Sequence, residues 1–277
     1  MLALYVAVLF LFFLLLTFPH DLQLRRWLGT IEKQSGWKIE PEAVSFVPWE
    51  GYRLSRVRIS PPGASDAWIE ADRLSLRPRL LELLTGRAST FVFNARAYDG
   101  KLSGSFTSAQ VTKIDADLDD LSLAEAAALR RAVDGEWDGR LSGELRIAAG
   151  AEVRTISGAA RVTITGAALR GGNVSGFKVP DLAFDRGDAD VSIQEGRAEI
   201  RKLTLAGKQI DVDVRGDVFL RAPITQTTLN LTLGLRPVPG ASPDLENMLL
   251  LWNRNQRPAS GAYALTLGGT AGRPRLR

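Results

Sequence analysis

The sequence predicts a mainly β protein, in which an N-terminal transmembrane helix precedes a curved antiparallel β-sheet domain of hairpin repeats with a few short helices. Three observations predict this fold class. Residues 2–18 are uncharged and almost wholly apolar. From residue 37 onward, apolar and polar residues alternate along many segments, which is the period of a half-buried strand. Glycine-containing turn signals separate those segments, as expected for hairpins.

Residues 1–19 are predicted to form a single membrane anchor. At about 1.5 Å rise per residue, the apolar run just spans a hydrocarbon core of about 30 Å. A cleaved signal peptide fits less well, because no basic segment precedes the run and no small-x-small site precedes Pro19. The side chains expected to face lipid are Leu2, Leu9, Phe10, Phe13, Leu16 and Phe18.

Residues 20–36 are predicted to form an amphipathic juxtamembrane helix. The residues that share its apolar face are Leu24, Trp27, Leu28 and Ile31. Two interpretations remain open: the helix lies on the membrane with Arg25 and Arg26 contacting headgroups, or it plugs the end of the β-domain core. The basic residues after the span favour a cytoplasmic C-terminal domain, but long domains translocate largely regardless of charge, so both orientations remain open.

Residues 37–277 are predicted to form the β-rich domain. The clearest apolar positions at period two are Val162, Ile164, Val191, Ile193, Leu203, Leu205, Ile210, Val212, Val214, Leu229, Leu231, Leu233 and Leu235. Strands of this kind have one apolar face and one wet face, which is typical of antiparallel sheet. Turns are predicted at Asp99-Gly100, Asp138-Gly139, Gly171-Gly172-Asn173, Glu195-Gly196 and Arg215-Gly216-Asp217.

Three short helices and one weak repeat are predicted within this domain. The helices begin at Pro78, at the capping box of Ser122 and at Ser242-Pro243. Residues 98–104 and 137–143 share the pattern aromatic-Asp-Gly-basic-Leu-Ser-Gly. The repeat indicates a recurring hairpin unit, with its last glycine at a bulge or a close backbone approach.

The composition offers no constellation for catalysis. His20 is the single histidine, and there is no cysteine, which excludes Ser/His/Asp triads in the β-domain and His or Cys metal sites. The acidic run of residues 115–120 lacks the glycine and distal glutamate of a Ca²⁺ loop, so a solvated strand face is favoured. We therefore expect no catalytic, cofactor-binding or metal-binding residue. The net charge of +4 is too small to indicate nucleic acid as a partner.

The apolar side of the C-terminal strands is the candidate functional surface. The residues predicted to line it are Leu203, Leu205, Ile210, Val212, Leu229, Leu231 and Leu233. Either they line an open groove that binds a lipid acyl chain or a partner segment, or the sheet curls on itself and buries them. Gly207, Lys208 and Gln209 interrupt one apolar row, which favours a scaffold over a continuous lipid groove.

The chain resembles the bacterial type II secretion system protein N family over essentially its whole length. The segments that carry the resemblance are Leu-Thr-Phe-Pro at 16–19, Leu-Arg-Arg-Trp at 24–27, Leu-Ser-Leu-Arg-Pro at 74–78, Tyr-Asp-Gly-Lys-Leu-Ser-Gly at 98–104, Leu-Asn-Leu-Thr-Leu at 229–233, and Tyr-Ala-Leu-Thr-Leu-Gly-Gly-Thr at 263–270 followed by Arg-Pro. The resemblance implies a non-enzymatic accessory of the secretion machine, anchored in the inner membrane with its C-terminal domain in the periplasm. Its implied partners are membrane lipids and other type II secretion components. The strand repeats are also similar to those of AsmA-like envelope proteins, which implies lipid binding or transfer as the alternative function.

Overall fold

The computed structural model describes most of the β-domain and little of the N-terminus. The described residues are 28–29, 32, 38–47, 50–60, 69–79, 89–108, 111–126, 134–150, 153–174, 177–178, 180–221, 226–252, 258, 261–271 and 273–276. Within them, no helix has the length and apolar character needed to cross a bilayer. The predicted anchor 1–19, with Leu2, Leu9, Phe10, Phe13, Leu16 and Phe18, lies outside the described residues, as do Arg25 and Arg26.

The predicted mainly β fold is confirmed as one antiparallel open sheet of 15 strands. The strands are β1 (Lys38–Val47), β2 (Gly51–Ser60), β3 (Ile69–Pro78), β4 (Ser89–Ala97), β5 (Gly100–Ser108), β6 (Thr112–Ser122), β7 (Asp134–Ala149), β8 (Ser157–Val174), β9 (Phe177–Lys178), β10 (Leu182–Gln194), β11 (Arg197–Gly207), β12 (Ile210–Phe219), β13 (Thr228–Pro237), β14 (Tyr263–Thr270) and β15 (Arg273–Leu276). Each strand pairs with its neighbour in sequence, except that the two-residue β9 pairs with β8 and leaves β8 beside β10. The chain therefore builds the sheet as a meander of hairpins.

The strand register aligns the alternating apolar residues on one side. Val214 lies opposite Leu203 of β11 and opposite Leu233 of β13. Leu233 in turn lies opposite Leu265 of β14. Since directly opposed side chains point to the same face of a sheet, these residues form one continuous apolar surface. The period-two alternation predicted for β11, β12 and β13 is confirmed.

Two of the predicted turns are hairpin turns, and three lie inside strands, beside shifts in the strand register. Tyr98 and Asp99 connect β4 to β5, one residue before the predicted position, and Glu195-Gly196 connects β10 to β11; all four residues have positive φ, as two-residue hairpins require. The other three predictions are wrong, because Gly139, Gly171 and Gly216 lie within β7, β8 and β12 at φ of 120°, 62° and 133°. Glycine permits positive φ in both settings, so the same sequence signal also occurs inside strands, beside shifts in the register.

The predicted repeat is used differently in its two copies. Residues 98–104 span a hairpin, whereas residues 137–143 lie within one long strand. The predicted close approach at the last glycine holds in both copies. A Cβ added at Gly104 would lie 2.0 Å from the Asp115 carbonyl oxygen, and one at Gly143 would lie 2.1 Å from the Arg161 carbonyl oxygen.

One predicted helix is confirmed, as α1 (Pro243–Trp252). The Ser242 hydroxyl accepts a hydrogen bond from the Leu245 amide at 3.4 Å, which caps the helix, and Pro243 takes the first helical position. The helix predicted at Ser122 does not begin there. Ser122 is the last residue of β6, its amide bonds to the Tyr98 carbonyl, and residues 123–125 form a bend and turn. Pro78 ends β3, and the leucines predicted to follow it in a helix lie outside the described residues.

Two clusters of buried side chains lie on the apolar side of the sheet. The α1 cluster consists of Leu123, Ala167, Phe184, Ile210, Leu235, Leu245, Leu249, Tyr263 and Leu265. The N-terminal cluster consists of Leu28, Leu54 and Val57, with partly buried neighbours on β1, β2 and β3. Leu28, Gly29 and Glu32 are helical, so this part of the predicted juxtamembrane helix packs on the sheet. The remainder of that helix lies outside the described residues.

Candidate functional site

One cross-strand row shows the character of the apolar face. We call it the apolar row; from β1 to β14, omitting β9, it consists of Val44, Leu54, Leu74, Ala95, Leu102, Leu118, Gly143, Val162, Ala189, Leu203, Val214, Leu233 and Leu265. Every member lies opposite the next in the strand register, and none has a polar side chain. At about 4.8 Å between strands, this row extends for roughly 60 Å.

The opposite face of the sheet carries a corresponding row of polar side chains. The neighbouring row, from β1 to β11, consists of Ser45, Arg53, Ser75, Asn94, Ser103, Asp117, Glu144, Arg161, Asp190 and Lys202. Arg161 and Asp190 approach to 3.6 Å in an exposed ion pair. The predicted face assignment of residues 114–119 is also confirmed, since the three aspartates are exposed while Ile114 and Leu118 are half-buried and Ala116 is buried. The sheet thus has one apolar face and one polar, solvated face.

Helix α1 covers one end of the apolar face. Leu245 and Leu249 have no exposed surface, and they pack on Phe184, Ile210 and Leu265 at that end. We call the strand ends that α1 covers the α1 end. Toward the opposite strand ends, which we call the far end, Ile193, Val218 and Leu229 are only half-buried. Burial therefore decreases from the α1 end to the far end along β10, β12 and β14, whereas Ala198 of β11 is buried at the far end.

All seven residues predicted for the groove or core lie on the apolar face. Ile210 is buried in the α1 cluster, and Leu231 is buried at 9% exposure. The half-buried members are Leu203, Leu205, Val212, Leu229 and Leu233. The predicted interruption at residues 207–209 is wrong, because Gly207 ends β11 and Lys208 and Gln209 form the turn to β12. The apolar face is continuous across this hairpin.

The seven residues predicted for the groove or core leave out the contribution of β1 to β7. Leu54, Leu74, Leu102 and Leu118 extend the same surface far beyond the seven predicted residues. The alternation of Ile114, Ala116 and Leu118 with aspartates contained this signal, but the shorter alternations of β2 to β5 are broken by bulges and glycines. The surface is therefore a property of the whole sheet.

The pKa values of Tyr52 and Asp188 are shifted by their local packing and hydrogen bonds. Burial raises the pKa of Tyr52, whose ring lies 5.2 Å from the Phe46 ring in the N-terminal region. A hydrogen bond from Arg186 at 3.1 Å lowers the pKa of the exposed Asp188 carboxyl. In the described part of the chain, no group of three or more Asp, Glu or His side chains is placed to hold a metal ion.

The described part of the apolar face can exclude water from a bound apolar molecule over a large area. Contiguous apolar patches on soluble monomers rarely exceed a few hundred Å². An apolar face of this extent must be covered in the functional state. Neither a family model, nor a curated protein, nor a solved structure matches the chain.

Proposed function

We propose that the protein is a non-enzymatic, AsmA-like protein of the cell envelope that binds the acyl chains of membrane lipids on its apolar face. The observation that supports this function is the apolar row, which runs from Val44 to Leu265 without a polar side chain. The sheet itself uses its backbone N–H and C=O groups for pairing between strands. The apolar row therefore presents hydrocarbon alone.

The chemistry of the face favours an acyl chain over an extended peptide. An extended peptide carries a backbone donor and acceptor at nearly every residue, and burying them without partners costs free energy. The apolar row offers no such partners, because it consists of aliphatic residues and one glycine. An acyl chain needs no hydrogen bond, and each buried methylene contributes roughly 0.8 kcal/mol.

The test is photocrosslinking from adjacent positions on the two faces of β12. A photoreactive residue at Val214 lies on the apolar face, and one at Arg215 lies on the polar face and serves as the matched control. We expect lipid adducts at position 214 and none at 215 when the full-length chain is irradiated in native membranes and analysed by mass spectrometry. Crosslinks from 214 to other segments of the same chain, without lipid, would show that the face is an internal core.

A second candidate function is that of an accessory or structural component of a type II secretion system. It is favoured by the resemblance of residues 229–233 and 263–270, which form β13 and β14 and pair directly with each other. In this proposal residues 1–19 anchor the chain in the inner membrane and the sheet lies in the periplasm. Lipid binding and attachment to the secretion machine are compatible, since they use different surfaces.

Crosslinking of polar-face positions in native membranes tests this second function. A photoreactive residue at Thr232 of β13 should yield adducts with other secretion components, identified by mass spectrometry, while position 233 should yield lipid. Protease protection of the C-terminus should place residue 277 in the periplasm. Adducts with cytoplasmic proteins, or a C-terminus cleaved from the cytoplasmic side, would contradict the assignment.

A further inference from the structure

The two ends of the strands differ in charge. The exposed cations at the far end are Arg79, Lys113, Arg154, Arg221 and Arg273. Lys113 lies at the start of β6, Arg154 in the connection from β7 to β8, Arg221 after β12, and Arg273 at the start of β15. Glu195 is an exposed carboxylate in the same rim. Even with Glu195 included, the described far-end rim is basic.

The α1 end has the opposite character. Its exposed carboxylates include Glu125, Glu136, Asp181, Asp185 and Asp244. The cations at the same end include Lys38, Lys101, Arg170, Lys208 and Arg236. Further exposed carboxylates there are Asp99, Asp120 and Asp138, so the cations offset only part of the negative charge. The sheet is therefore polarised along its strands, with an acidic closed end at α1 and a basic far end where the apolar face is less buried.

Four of the five far-end cations form no ion pair within the part of the chain that the structure describes. Among the described residues, none of Lys113, Arg154, Arg221 and Arg273 forms an ion pair within 4.0 Å, whereas Arg197 nearby is held by Asp217 at 2.8 Å. They are distributed over the loops from β6 to β15 and do not converge on a single point. A row of this kind matches a surface of many phosphates better than it matches one bound anion.

We infer that the far-end rim docks on an anionic phospholipid surface, so that acyl chains pass between the bilayer and the apolar face at this end. This inference rests on the proposed lipid-binding function. The acidic α1 end would be repelled by the same surface. Charge and burial thus give one orientation, with the exposed part of the apolar face toward the lipid and the closed end away from it.

The test measures which end of the sheet touches the bilayer. Because the chain has no cysteine, a single Gln226→Cys at the far end or Asn247→Cys on α1 can be labelled with a fluorophore. The full-length protein is reconstituted in phosphatidylcholine vesicles that carry a headgroup quencher, with or without phosphatidylglycerol. We expect quenching at position 226 that requires phosphatidylglycerol and falls with added salt, and little quenching at 247.

Matched charge variants separate docking from general electrostatics. Replacing Arg154, Arg221 and Arg273 with glutamine should lower the ratio of docked to undocked protein on the order of a hundredfold, at about fivefold per cation. Replacing Arg170, Lys208 and Arg236 at the α1 end removes the same charge and should leave quenching at 226 unchanged. Equal losses in the two triple variants, or equal quenching at 226 and 247, would overturn the inference.

The outcome is separable from that of the proposed function. Lipid adducts at position 214 without far-end docking would remove this inference and leave lipid binding intact. Far-end docking without lipid adducts would instead remove the proposed function and leave only a membrane-contacting rim. Loss of the phosphatidylglycerol dependence when inorganic phosphate replaces chloride at equal ionic strength would identify an ion site rather than a membrane surface.

Discussion

Replacing Leu249 with alanine should weaken the attachment of α1 to the apolar face by about 3–4 kcal/mol. The Leu249 side chain has no exposed surface, so the truncation removes about three buried carbon groups at roughly 0.8 kcal/mol each. The cavity left behind adds to this transfer term, and core Leu→Ala changes cost about 2–5 kcal/mol in total. The expected loss is a large share of the stability of an ordinary domain.

Leu251→Ala is the matched control on the same helix. Leu251 is 62% exposed, so its truncation should change the free energy of unfolding by no more than about 0.5 kcal/mol. Both variants exchange leucine for alanine in the last turns of α1, which makes the change in helix propensity nearly equal. The difference between them therefore isolates the contact of α1 with the sheet.

Amide hydrogen exchange on the full-length chain can locate the loss. If α1 detaches while the sheet remains folded, Leu249→Ala should accelerate exchange of the α1 amides by roughly 150- to 700-fold and leave β13 and β14 protected. If the sheet unfolds with it, exchange in β13 and β14 should accelerate as well. Equal α1 exchange rates in the two variants would refute the conclusion that the α1 cluster holds the helix on the sheet.

Three further changes test a positive-φ glycine of β12, the helix cap and the surface electrostatics. Gly216→Ala should lower the free energy of unfolding, measured by urea denaturation, by about 1–3 kcal/mol. The residue has a φ of 133°, and an added Cβ would lie 2.2 Å from a carbonyl oxygen. Gly268→Ala is the control and should be near neutral, because the nearest atom to its added Cβ would lie at 3.8 Å. Ser242→Ala should lower the free energy of unfolding by about 1 kcal/mol, whereas Ser242→Asp, which can still accept the capping hydrogen bond, should not. Equal melting temperatures of the two variants would exclude a capping role. Arg186 lowers the pKa of Asp188, so this carboxylate adds stability that is present above its unfolded pKa and is lost as pH falls through the lowered value. Asp188→Asn should remove that acid-side pH dependence, and its effect should be smaller on an Arg186→Gln background, where Thr163 and Lys202 still lower the pKa of Asp188.

The parts of the fold that the sequence predicted depend on local patterns, such as the alternation of apolar and polar residues in a strand. Leu229, Leu231, Leu233 and Leu235 occupy every second position of β13, and a strand that buries one face admits only one register for them. The start of α1 was also predictable from local residues, because Ser242 caps the helix and Pro243 takes its first position. These elements were predictable because their own residues decide their structure.

The extent of the candidate site depended on information from neighbouring strands. Asp138-Gly139 and Gly216 resemble hairpin turns, yet β7 and β12 continue through them because the adjacent strands supply ladder partners on both sides. A Cβ at Gly216 would collide with the Asn230 carbonyl oxygen, so this glycine permits close strand approach. That requirement is set by β13, which lies outside the local sequence pattern.

Bulges explain how such long strands keep one face apolar. In β8, Val162 and Ile164 face the apolar side at even positions, whereas Ala167 and Leu169 face it at odd positions. The switch occurs at Gly166, which has φ of 60°, and β10 carries a matching extra residue just after Phe184. Without the bulge, a shift of one position would turn Ala167, Leu169 and Phe184 toward water, although all three are buried at the α1 end. The irregular residues of this sheet thus serve the continuity of its apolar face, which is the property that lipid binding requires.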